Sequence, residues 1–483
     1  MPKTGANPLY LRLCPWLVQS IMTSPISVLP MVKPLLFVVA LLLAACSQLT
    51  PMQRPDLPVV NQWPDREAQP KQEDAAKTHW RAFFRDPRLQ ALIAAALENN
   101  RDLRMSVARV QEARAQFVQA DAGKYPILSM GPPVGTDLGT ALTSGISWPL
   151  LTVSYEVDFW GRVAATTEAA RYNYLSTEEA KRAFQISLVA DVASAYFEIL
   201  QADDGLANAA ATIQLRSQSL QMIRKRMDLG ASDDLEYQEA LGLLASTRAS
   251  YAVLEHQRTV ATNKLNFLVG RTDLDLPEGW PLKAQDLSAG LAPALPSEVL
   301  LLRPDVMASE HRLRAAHANI AAARAAYFPK VGIQTSLGSL SGPLATMLDL
   351  SNFGLSPVVS LPALFDGGQL DAAVLAAEAR KSGAVAEYEK TIQQAFREVA
   401  DQLSSRESLA RQMQAMTVNA QAQERRLKIA QAKFQLGAVG FLDVIDAERD
   451  NLATQQAVNG LLRAQIDSTV QLYKALGGGS QSE

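Results

Sequence analysis

The chain has 483 residues, long enough for two or three ordinary domains or for one large repeated architecture. It carries 46 basic and 49 acidic side chains, and its first 45 residues hold three basic and no acidic ones, so cleavage after residue 45 would leave 43 basic and 49 acidic groups, a charge of −6. This acidic balance excludes the basic surface of a nucleic-acid-binding protein. Cleavage would also remove Cys14 and leave Cys46 as the remaining cysteine, so we expect no internal disulfide.

The N-terminal segment is typical of an export signal. Its apolar run at 34–45 is 12 residues long and follows Lys33, and it is too short for a membrane-spanning helix, which needs about 20 residues. The sequence LAAC, which ends at Cys46, resembles a bacterial lipobox. We therefore expect a lipoprotein signal over 1–45 and an acylated Cys46, with an ordinary signal peptide and a chance cysteine as the alternative. Residues 1–30 are unusual for a signal, and translation from Met31 would give a compact one.

The two halves of the chain align with each other. Four pairs of segments match in the same order at offsets of 203 to 207 residues: 101–126 with 303–329, 158–162 with 364–368, 229–236 with 436–443, and 265–270 with 472–477. Self-similarity at a fixed offset indicates duplication of one structural unit. The predicted organisation is an N-terminal extension and equatorial segment at 46–100, a first repeat at 101–270, a linker at 271–302, a second repeat at 303–477 and a tail at 478–483.

Each repeat contains one very long helical segment. Residues 163–229 and 369–436 have no proline, and at about 1.5 Å per residue each would form a helix about 100 Å long. The shorter helical segments at 235–269 and 101–124, placed end to end, nearly match that length. We therefore expect a wall of parallel helical rods, which we call staves. Half of the staves would be single continuous helices, and half would be two shorter helices placed end to end.

Apolar residues recur along both long segments in steps of three and four. Such spacing places them on one stripe, which we interpret as the seam of a coiled-coil-like contact, with packing on a globular core as the alternative. The positions are Phe184, Leu188, Val192, Ala195 and Ile199 in the first repeat, and Val385, Tyr388, Ile392, Phe396, Val399 and Leu403 in the second.

The segments at 126–158 and 329–364 are poor in charge, and each is long enough for two strands of about ten residues, the length of a tilted membrane strand. Aromatic residues lie near the expected strand ends, as in an interfacial belt: Tyr125, Trp148, Phe159, Trp160, Phe328 and Phe365. Four strands cannot close a barrel with a lumen, and lipid forbids open sheet edges. We therefore expect three copies of the chain to share a 12-stranded barrel.

Several longer motifs resemble those of the TolC-type outer-membrane efflux family, in its lipoprotein branch. They are the lipobox at Cys46, WRAFFRDPRLQALIAAALENNRDLR at 80–104, VDFWGR at 157–162, LLRPDVMASEHRLRAAHANIAAARAAYFP at 301–329, AFREVADQL at 395–403 and GAVGFLDVIDAERD at 437–450. The resemblance implies a mostly α-helical homotrimer with a 12-stranded β-barrel in the outer membrane of a Gram-negative cell and an α-helical barrel in the periplasm. It implies two partners, a periplasmic adaptor and a proton-driven inner-membrane RND transporter. Pro132-Pro133 departs from the pattern and leaves the shape of the first hairpin open.

The turns at 229–234 and 436–441 join each long helix to its return helix at the end farthest from the strands. The resemblance implies that this tip meets the adaptor, although the glycines also suit plain helix turns. The tip residues are Leu229, Gly230, Ala231, Leu436, Gly437, Ala438 and Gly440. Asp233, three residues before Glu236, is typical of a helix N-cap.

The resemblance also implies a closed resting state, held by charged links and narrow rings. A carboxylate present once in each chain would appear three times around the axis. The gate candidates are Arg397, Asp401, Arg406, Asp443 and Asp446. The alternative for each is an exposed helix face with ordinary i,i+4 pairs.

No catalytic constellation or metal-binding motif is present in the sequence, which argues against an enzyme, and the resemblance implies no cofactor beyond the lipid on Cys46. We expect a passive exit duct for drugs or toxic ions. Met413 and Met416 lie one helical turn apart but are a weak signal for Cu(I), so the cargo stays open. The alternative function is a lipid-anchored periplasmic coiled-coil adaptor or scaffold.

Overall fold

The structure is a computed structural model. It describes residues 52, 54–55, 58–60, 78–130, 151–230, 232–273, 277–285, 287, 300–337, 354–363 and 365–479. The predictions concerning Met31, Cys46, Pro132-Pro133, Trp148 and Ala231 fall outside these residues.

The described chain is mostly helical, and both halves contain one series in common: a helix of 22 residues, two strands, a long helix and a return helix. The first half contains α1 (Trp80–Phe83), α2 (Pro87–Asn99), α3 (Arg101–Ala122), β1 (Ile127–Met130), β2 (Leu151–Val157), α4 (Arg162–Asp228) and α5 (Asp234–Val269). The second half contains a 3-10 turn (Leu282–Ala284), α6 (Pro304–Ala325), β3 (Lys330–Leu337), β4 (Gly354–Ser360), α7 (Gln369–Gln435) and α8 (Phe441–Ala475). Helices α4 and α7 each have 67 residues, within one residue of the bounds expected from the sequence.

Both long helices begin in the same way. A glycine with left-handed φ precedes each of them, Gly161 before α4 and Gly368 before α7. The first amides of a helix have no partner within it, and here a carboxylate supplies one. Asp158 accepts from the backbone amides of Val163 and Ala164 at 3.1 and 2.7 Å. Asp366 does the same for Gly368 and Leu370, so each strand pair passes into its long helix through a fixed turn.

The shorter helices are joined end to end. The side chain of Asn100 caps α3 by accepting from the amide of Leu103, and it donates to the carbonyl of Leu268 in the last turn of α5 at 2.7 Å. A Cβ at Gly270, which ends α5, would lie 2.6 Å from the carbonyl oxygen of Asn99, so the two helix ends are in close contact. Arg303 makes the matching joint in the second half, between α6 and the end of α8. The two-piece staves predicted from the sequence are therefore present.

The strands form one antiparallel sheet in the order β1-β2-β3-β4. Ser154 of β2 pairs with Ile127 on one side and with Gln334 on the other, and Lys330 pairs with Ser360. The described strands have four to eight residues, fewer than the ten expected. The segments 131–150 and 338–353, where the strands would continue, lie outside the described residues.

The largest apolar core lies around the middle of the long helices. It combines Leu188–Phe197 of α4 and Tyr388–Leu403 of α7 with residues of α2 and the end of α8. The apolar stripes of both long helices belong to this core together with residues of several other helices, so at this level they pack as the alternative interpretation expected and not as a seam with one facing helix. An 18-residue window of α4 is long and apolar enough to cross a membrane by length and composition alone, but much of it is buried inside the protein.

Candidate functional site

The end of the molecule farthest from the sheet presents two matched turns. Gly230 and Gly437 both have left-handed φ, near 70°, and each follows an exposed leucine. Leu229 and Leu436 are each 83% exposed, and Leu235 and Leu442 beside them are also exposed. Glycine tolerates this φ without a Cβ clash, so the chain can reverse tightly here. The two turns thus display four leucines to solvent.

The turns differ in how the return helix begins. Asp233 accepts from the amide of Glu236 at 3.0 Å and caps α5, which confirms the predicted N-cap. Gly440 occupies the cap position of α8 without a side-chain hydrogen bond. Its φ is −74°, so the left-handed geometry of the second turn belongs to Gly437 alone and not to Gly440.

Behind the turns, the four helices that meet at the tip (α4, α5, α7 and α8) share a small apolar core. Its buried members are Ile223 of α4, Ala240 of α5, and Phe441, Val444 and Ile445 of α8, with Phe434 of α7 packed against them. The ring centroids of Phe434 and Phe441 are 5.4 Å apart. The guanidinium of Arg226 lies 5.2 Å from the centroid of Phe434, so the tip of α4 contacts the tip of α7. This core holds the two turns together as one surface.

A buried polar layer lies just behind the tip core. Arg216 of α4 is 6% exposed, and its Nη1 donates to the carbonyl of Leu243 at 3.0 Å and to the hydroxyl of Thr247, both on α5. Its Nε lies 3.8 Å from a carboxylate oxygen of Glu448 on α8. Glu448 is in turn hydrogen-bonded to Gln431 on α7. One charged layer therefore connects all four helices.

Burial controls the charges of this layer. It lowers the pKa of Arg216 from its ordinary value, although the nearby carboxylate opposes the change. It raises the pKa of Glu448, against the attraction of Arg216 and the hydrogen bond from Gln431. A buried carboxylate with a distant cationic partner is only partly compensated. Sequence analysis missed both residues, because Arg216 and Glu448 stand among many charged helix residues and nothing in the spacing marks them as buried.

The five gate candidates lie at two separate levels. Asp443 is exposed on the first turn of α8, and Asp446 one turn later pairs with Arg449 at 3.3 Å. Both belong to the tip. Arg397, Asp401 and Arg406 lie 29 to 38 residues before the end of α7, which is about 44 to 57 Å along the helix. The two groups therefore cannot form one ring.

The three candidates on the middle of α7 also differ among themselves. Arg397 and Asp401 are exposed and lie on the side of the helix opposite the buried stripe. Arg406 is half-buried and lines a cleft of about 310 Å³ with Gln285 of the linker and Gln465 of α8. Its position is that of a residue packed between helices, whereas the other two face away from the core.

The sheet has two chemically different faces. Side chains alternate along strands, and the register places Ser154 and Glu156 on the same face as Lys330, Gln334 and Ser360, a mainly polar face that also carries Ile127 and Val358. The opposite face carries Val153, Tyr155, Val157, Val331, Ile333, Pro357 and Val359. Ile333 and Val359 are well exposed in the single chain. One polar and one apolar face are typical of a strand wall between water and lipid.

Aromatic residues mark the border between sheet and helices. Trp160 stacks on Phe328 with centroids 4.5 Å apart, and its indole nitrogen donates to the carbonyl of Pro329 at 2.8 Å. Tyr125, Phe159 and Phe365 are exposed nearby in the chain. The predicted aromatic positions, within the described residues, therefore lie at the strand ends that face the helices.

A second buried polar centre lies at the middle of the molecule. The carboxylate of Asp86 is 1% exposed and accepts from the hydroxyl of Tyr196 and the amide of Trp280, at 2.9 and 3.1 Å, and from Gln285 at 2.7 Å. Burial, together with this carboxylate, raises the pKa of Tyr196. These bonds fix the linker and α2 against α4, which makes this centre structural.

Among the described residues, no group of three or more His, Cys, Asp or Glu side chains could hold a metal ion. His311 stacks on Tyr172 with ring centroids 5.9 Å apart, and burial lowers its pKa. Its Nδ1 is buried without a hydrogen bond. This histidine packs between α6 and α4.

Comparison with known proteins gives consistent matches over the whole helical body. The family model described as "Outer membrane efflux protein" matches residues 92–271 and 295–478. The cation efflux system protein CusC of Escherichia coli O157:H7 is 39% identical over 468 residues, which cover 95% of this chain and 100% of that protein. The outer membrane protein OprJ of Pseudomonas aeruginosa is 38% identical over 455 residues, 91% of this chain and 94% of that protein.

A solved structure shows the same likeness in three dimensions. The open state of the Neisseria gonorrhoeae MtrE outer membrane channel superposes with a TM-score of 0.81 at 31% identity. The match covers 91% of this chain and 99% of that one. The mostly helical body and its small sheet are therefore a known arrangement.

Proposed function

The chain belongs to the outer membrane efflux protein family, and from that premise we propose that three copies form a passive exit duct across the outer membrane of a Gram-negative cell. The duct is the outer-membrane channel component of an efflux system. It continues as a barrel of long helices on the periplasmic side.

The two-faced sheet is the observation that carries the proposal. Its apolar face suits lipid and its polar face suits a water-filled lumen, while β1 and β4 are the edge strands of the described sheet. A membrane forbids unpaired strand edges, and four strands are too few to enclose a lumen. Pairing of β1 with β4 of the next copy removes both problems. Three copies then give a closed barrel of 12 strands.

The equal helix lengths of the two halves support a tandem repeat. Each half supplies one helix of 67 residues and one two-piece stave, so a trimer has six continuous and six jointed staves of nearly equal length. Because all twelve staves have nearly the same length, they can form the wall of one tube that reaches the same level at both ends.

The exposed tip suits a protein partner. Four exposed leucines on the two turns form an apolar surface. Without a partner protein, this surface would face water. We assign this surface to a periplasmic adaptor, which links the duct to an inner-membrane RND transporter. The proposed cargo is drugs or toxic ions, since the names of relatives include both cation efflux and antibiotic efflux.

The gate is assigned to the tip level. Asp443 and Asp446 lie on the first turns of α8, next to the docking surface. In three copies their carboxylates make a ring that narrows the bore and repels anions when it is closed. Arg397 and Asp401 lie at another level and are not part of this ring.

The proposal includes no catalysis and no cofactor beyond an acyl chain on Cys46, which anchors the N-terminus in the outer membrane. The second candidate function is a lipid-anchored periplasmic adaptor or scaffold. Such a protein needs no polar-and-apolar sheet, so the sheet favours the duct.

A pair of strand variants tests the duct. Ile333→Asp places a charge on the apolar face, where a charge that faces lipid is destabilising, whereas Gln334→Asp places the same charge on the polar face. The purified full-length mature protein is added to planar lipid bilayers. We expect channels from the wild type and Gln334→Asp and few or none from Ile333→Asp. Absence of any conductance from the wild type, or equal insertion of the two variants, would contradict the duct.

A further inference from the structure

The first described residues of the chain lie against the helical body. We call the described residues between 52 and 60 the strap. Met52 and Val59 of the strap pack against the main apolar core. Between them, the guanidinium of Arg54 donates to Oε2 of Glu310 on α6 at 2.6 Å, a contact between residues 256 positions apart. The strap is therefore bound to the body by a long-range charged contact, with apolar contacts on both sides of it.

Glu310 offers this guanidinium a buried carboxylate. Its side chain is 7% exposed, whereas that of Arg54 is 46% exposed. Its other oxygen, Oε1, accepts from Arg314 one turn further along α6, also at 2.6 Å. A buried carboxylate is costly unless its charge is paired and its lone pairs accept hydrogen bonds. A residue of the strap thus completes a buried site in the body, which gives the strap one preferred position along α6.

The height of this contact can be compared with the length of chain that precedes it. Arg54 follows Cys46 by eight residues, which span about 26 to 29 Å when fully extended. From Glu310 to the end of α6 at Ala325 there are 15 residues, about 22 Å along the helix axis. Strand β3 begins at Lys330, five residues further on. The chain between Cys46 and the strap is therefore only just long enough to reach the level at which the sheet begins.

We propose that the contact between Arg54 and Glu310 sets the height of the lipid anchor: it holds the strap at a level from which an acylated Cys46 reaches the inner leaflet of the outer membrane with little slack. The inference rests on the proposed acylation of Cys46 and on a membrane at the level of the sheet. Shortening a tether that has no slack sets the anchor and the contact against each other. Acyl chains are held by many buried CH2 groups, so the contact with Glu310 breaks first.

A thiol in the strap reports whether the contact holds. Met52→Cys adds one free thiol to a mature chain whose other cysteine is acylated, at a side chain that is half-buried against the core. The rate of its reaction with a maleimide is measured in isolated outer membranes. Three tethers are compared: the natural one, one with residues 48–50 deleted, and one with three residues inserted after residue 50. The deletion shortens the reach to about 17 to 18 Å, less than the length of α6 beyond Glu310, whereas the insertion is the control that lengthens it.

We expect the deletion to raise the labelling rate severalfold and the insertion to leave it unchanged. Arg54→Ala should raise the rate whatever the length of the tether. In a protein that carries Cys46→Ser and is exported with an ordinary cleavable signal, the deletion should have no effect, because no lipid pulls on the strap. An unchanged rate after the deletion, or an equal rise in the protein without the lipid, would overturn the tether. Channels formed by the wild type in planar bilayers would show that the duct stands even then, since conductance does not depend on where the strap lies.

Discussion

Asn100 and Arg303 make the same connection in the two halves of the chain. Each precedes a helix of 22 residues, and each donates a hydrogen bond of 2.7 Å to a carbonyl at the end of a return helix, Leu268 for Asn100 and Ala475 for Arg303. They lie 203 residues apart, the offset of the aligned segments around them. The chemistry differs, since Arg303 also pairs with Asp305 and with Glu398 of α7. The two-piece staves thus depend on one side chain in each half.

The first joint predicts a defined loss of stability. Asn100→Ala removes the cap of α3 and the bond to Leu268, and we expect it to lower the free energy of unfolding by about 1 to 2 kcal/mol. Asn99→Ala is the matched control, because the only hydrogen bond that the Asn99 side chain makes to a described residue goes to the carbonyl of Ala95 in its own helix. Chemical denaturation of both variants in detergent measures the difference. Equal effects of the two substitutions would show that the joint does not depend on Asn100.

The buried layer behind the tip predicts a pH dependence. Burial raises the pKa of Glu448 in the folded protein, so the ionised form is penalised in the folded state. Below the ordinary value of about 4.3 both states are protonated and there is no penalty. The penalty grows as the pH rises through the raised value. We therefore expect Glu448→Gln to gain stability relative to the wild type between pH 4 and pH 7.

A second glutamate gives the opposite sign as a control. The hydrogen bond from Lys428 lowers the pKa of exposed Glu424, so its ionised form stabilises the folded state at neutral pH and loses that effect on acidification. Glu424→Gln should therefore lose stability slightly relative to the wild type as the pH rises. Melting temperatures of the three proteins across this range test both signs. Parallel curves for wild type and Glu448→Gln would show that Glu448 is not buried as described.

The exposed tip predicts a loss of function without a loss of stability. Leu436→Ser changes a side chain that is almost fully exposed, so we expect an unfolding free energy within about 0.5 kcal/mol of the wild type. Efflux in cells and binding of the purified adaptor should nevertheless fall strongly. Leu375→Ser, an exposed leucine near the strand end of α7, is the control. Normal efflux by Leu436→Ser together with Leu229→Ser would rule out docking at the turns.

The two levels of charged residues predict different effects on conductance. Combined substitution of Asp443 and Asp446 by Ser removes the tip ring, and we expect more open-channel current in planar bilayers at neutral pH. Arg397→Ser combined with Asp401→Ser acts about 50 Å away along the helix and should leave the closed state unchanged. A larger current from the second pair than from the first would place the gate in the middle of the molecule.

The acylation site distinguishes the duct from the alternative scaffold. Cys46→Ser should abolish labelling with a radioactive fatty acid. A duct still needs detergent for extraction after this change, because the strands stay in the lipid. A scaffold anchored only by its acyl chain would become soluble in the periplasm. Fractionation of cells that express the variant decides between these outcomes.

Helix lengths were predictable from the sequence, because the runs 163–229 and 369–436 are rich in the helix formers Ala, Glu, Gln and Arg and contain no proline to end a helix. The strand pairs were predictable in position, since charge-poor segments follow each short helix. The tip glycines were predictable as well, although Gly440 did not need its conformational freedom. These features depend on local chemistry, which single stretches of sequence display.

The long-range contacts could not be predicted. Arg216 bonds to residues 27 and 31 positions away, and it approaches Glu448 from the other half of the chain. Asp86 collects donors from residues 110 to 199 positions away. The apolar stripe on α7 was found but assigned to a seam, because periodicity shows which face is buried and not what covers it. Whether a polar residue is buried depends on packing that only the folded chain defines.

Single-particle imaging of the mature protein, purified in mild detergent, tests the trimeric duct most directly. The account predicts a hollow cylinder with threefold symmetry, with a helical part of about 100 Å and a detergent belt at the strand end. Solid rods, or monomers without a belt, would contradict it and favour the lipid-anchored scaffold.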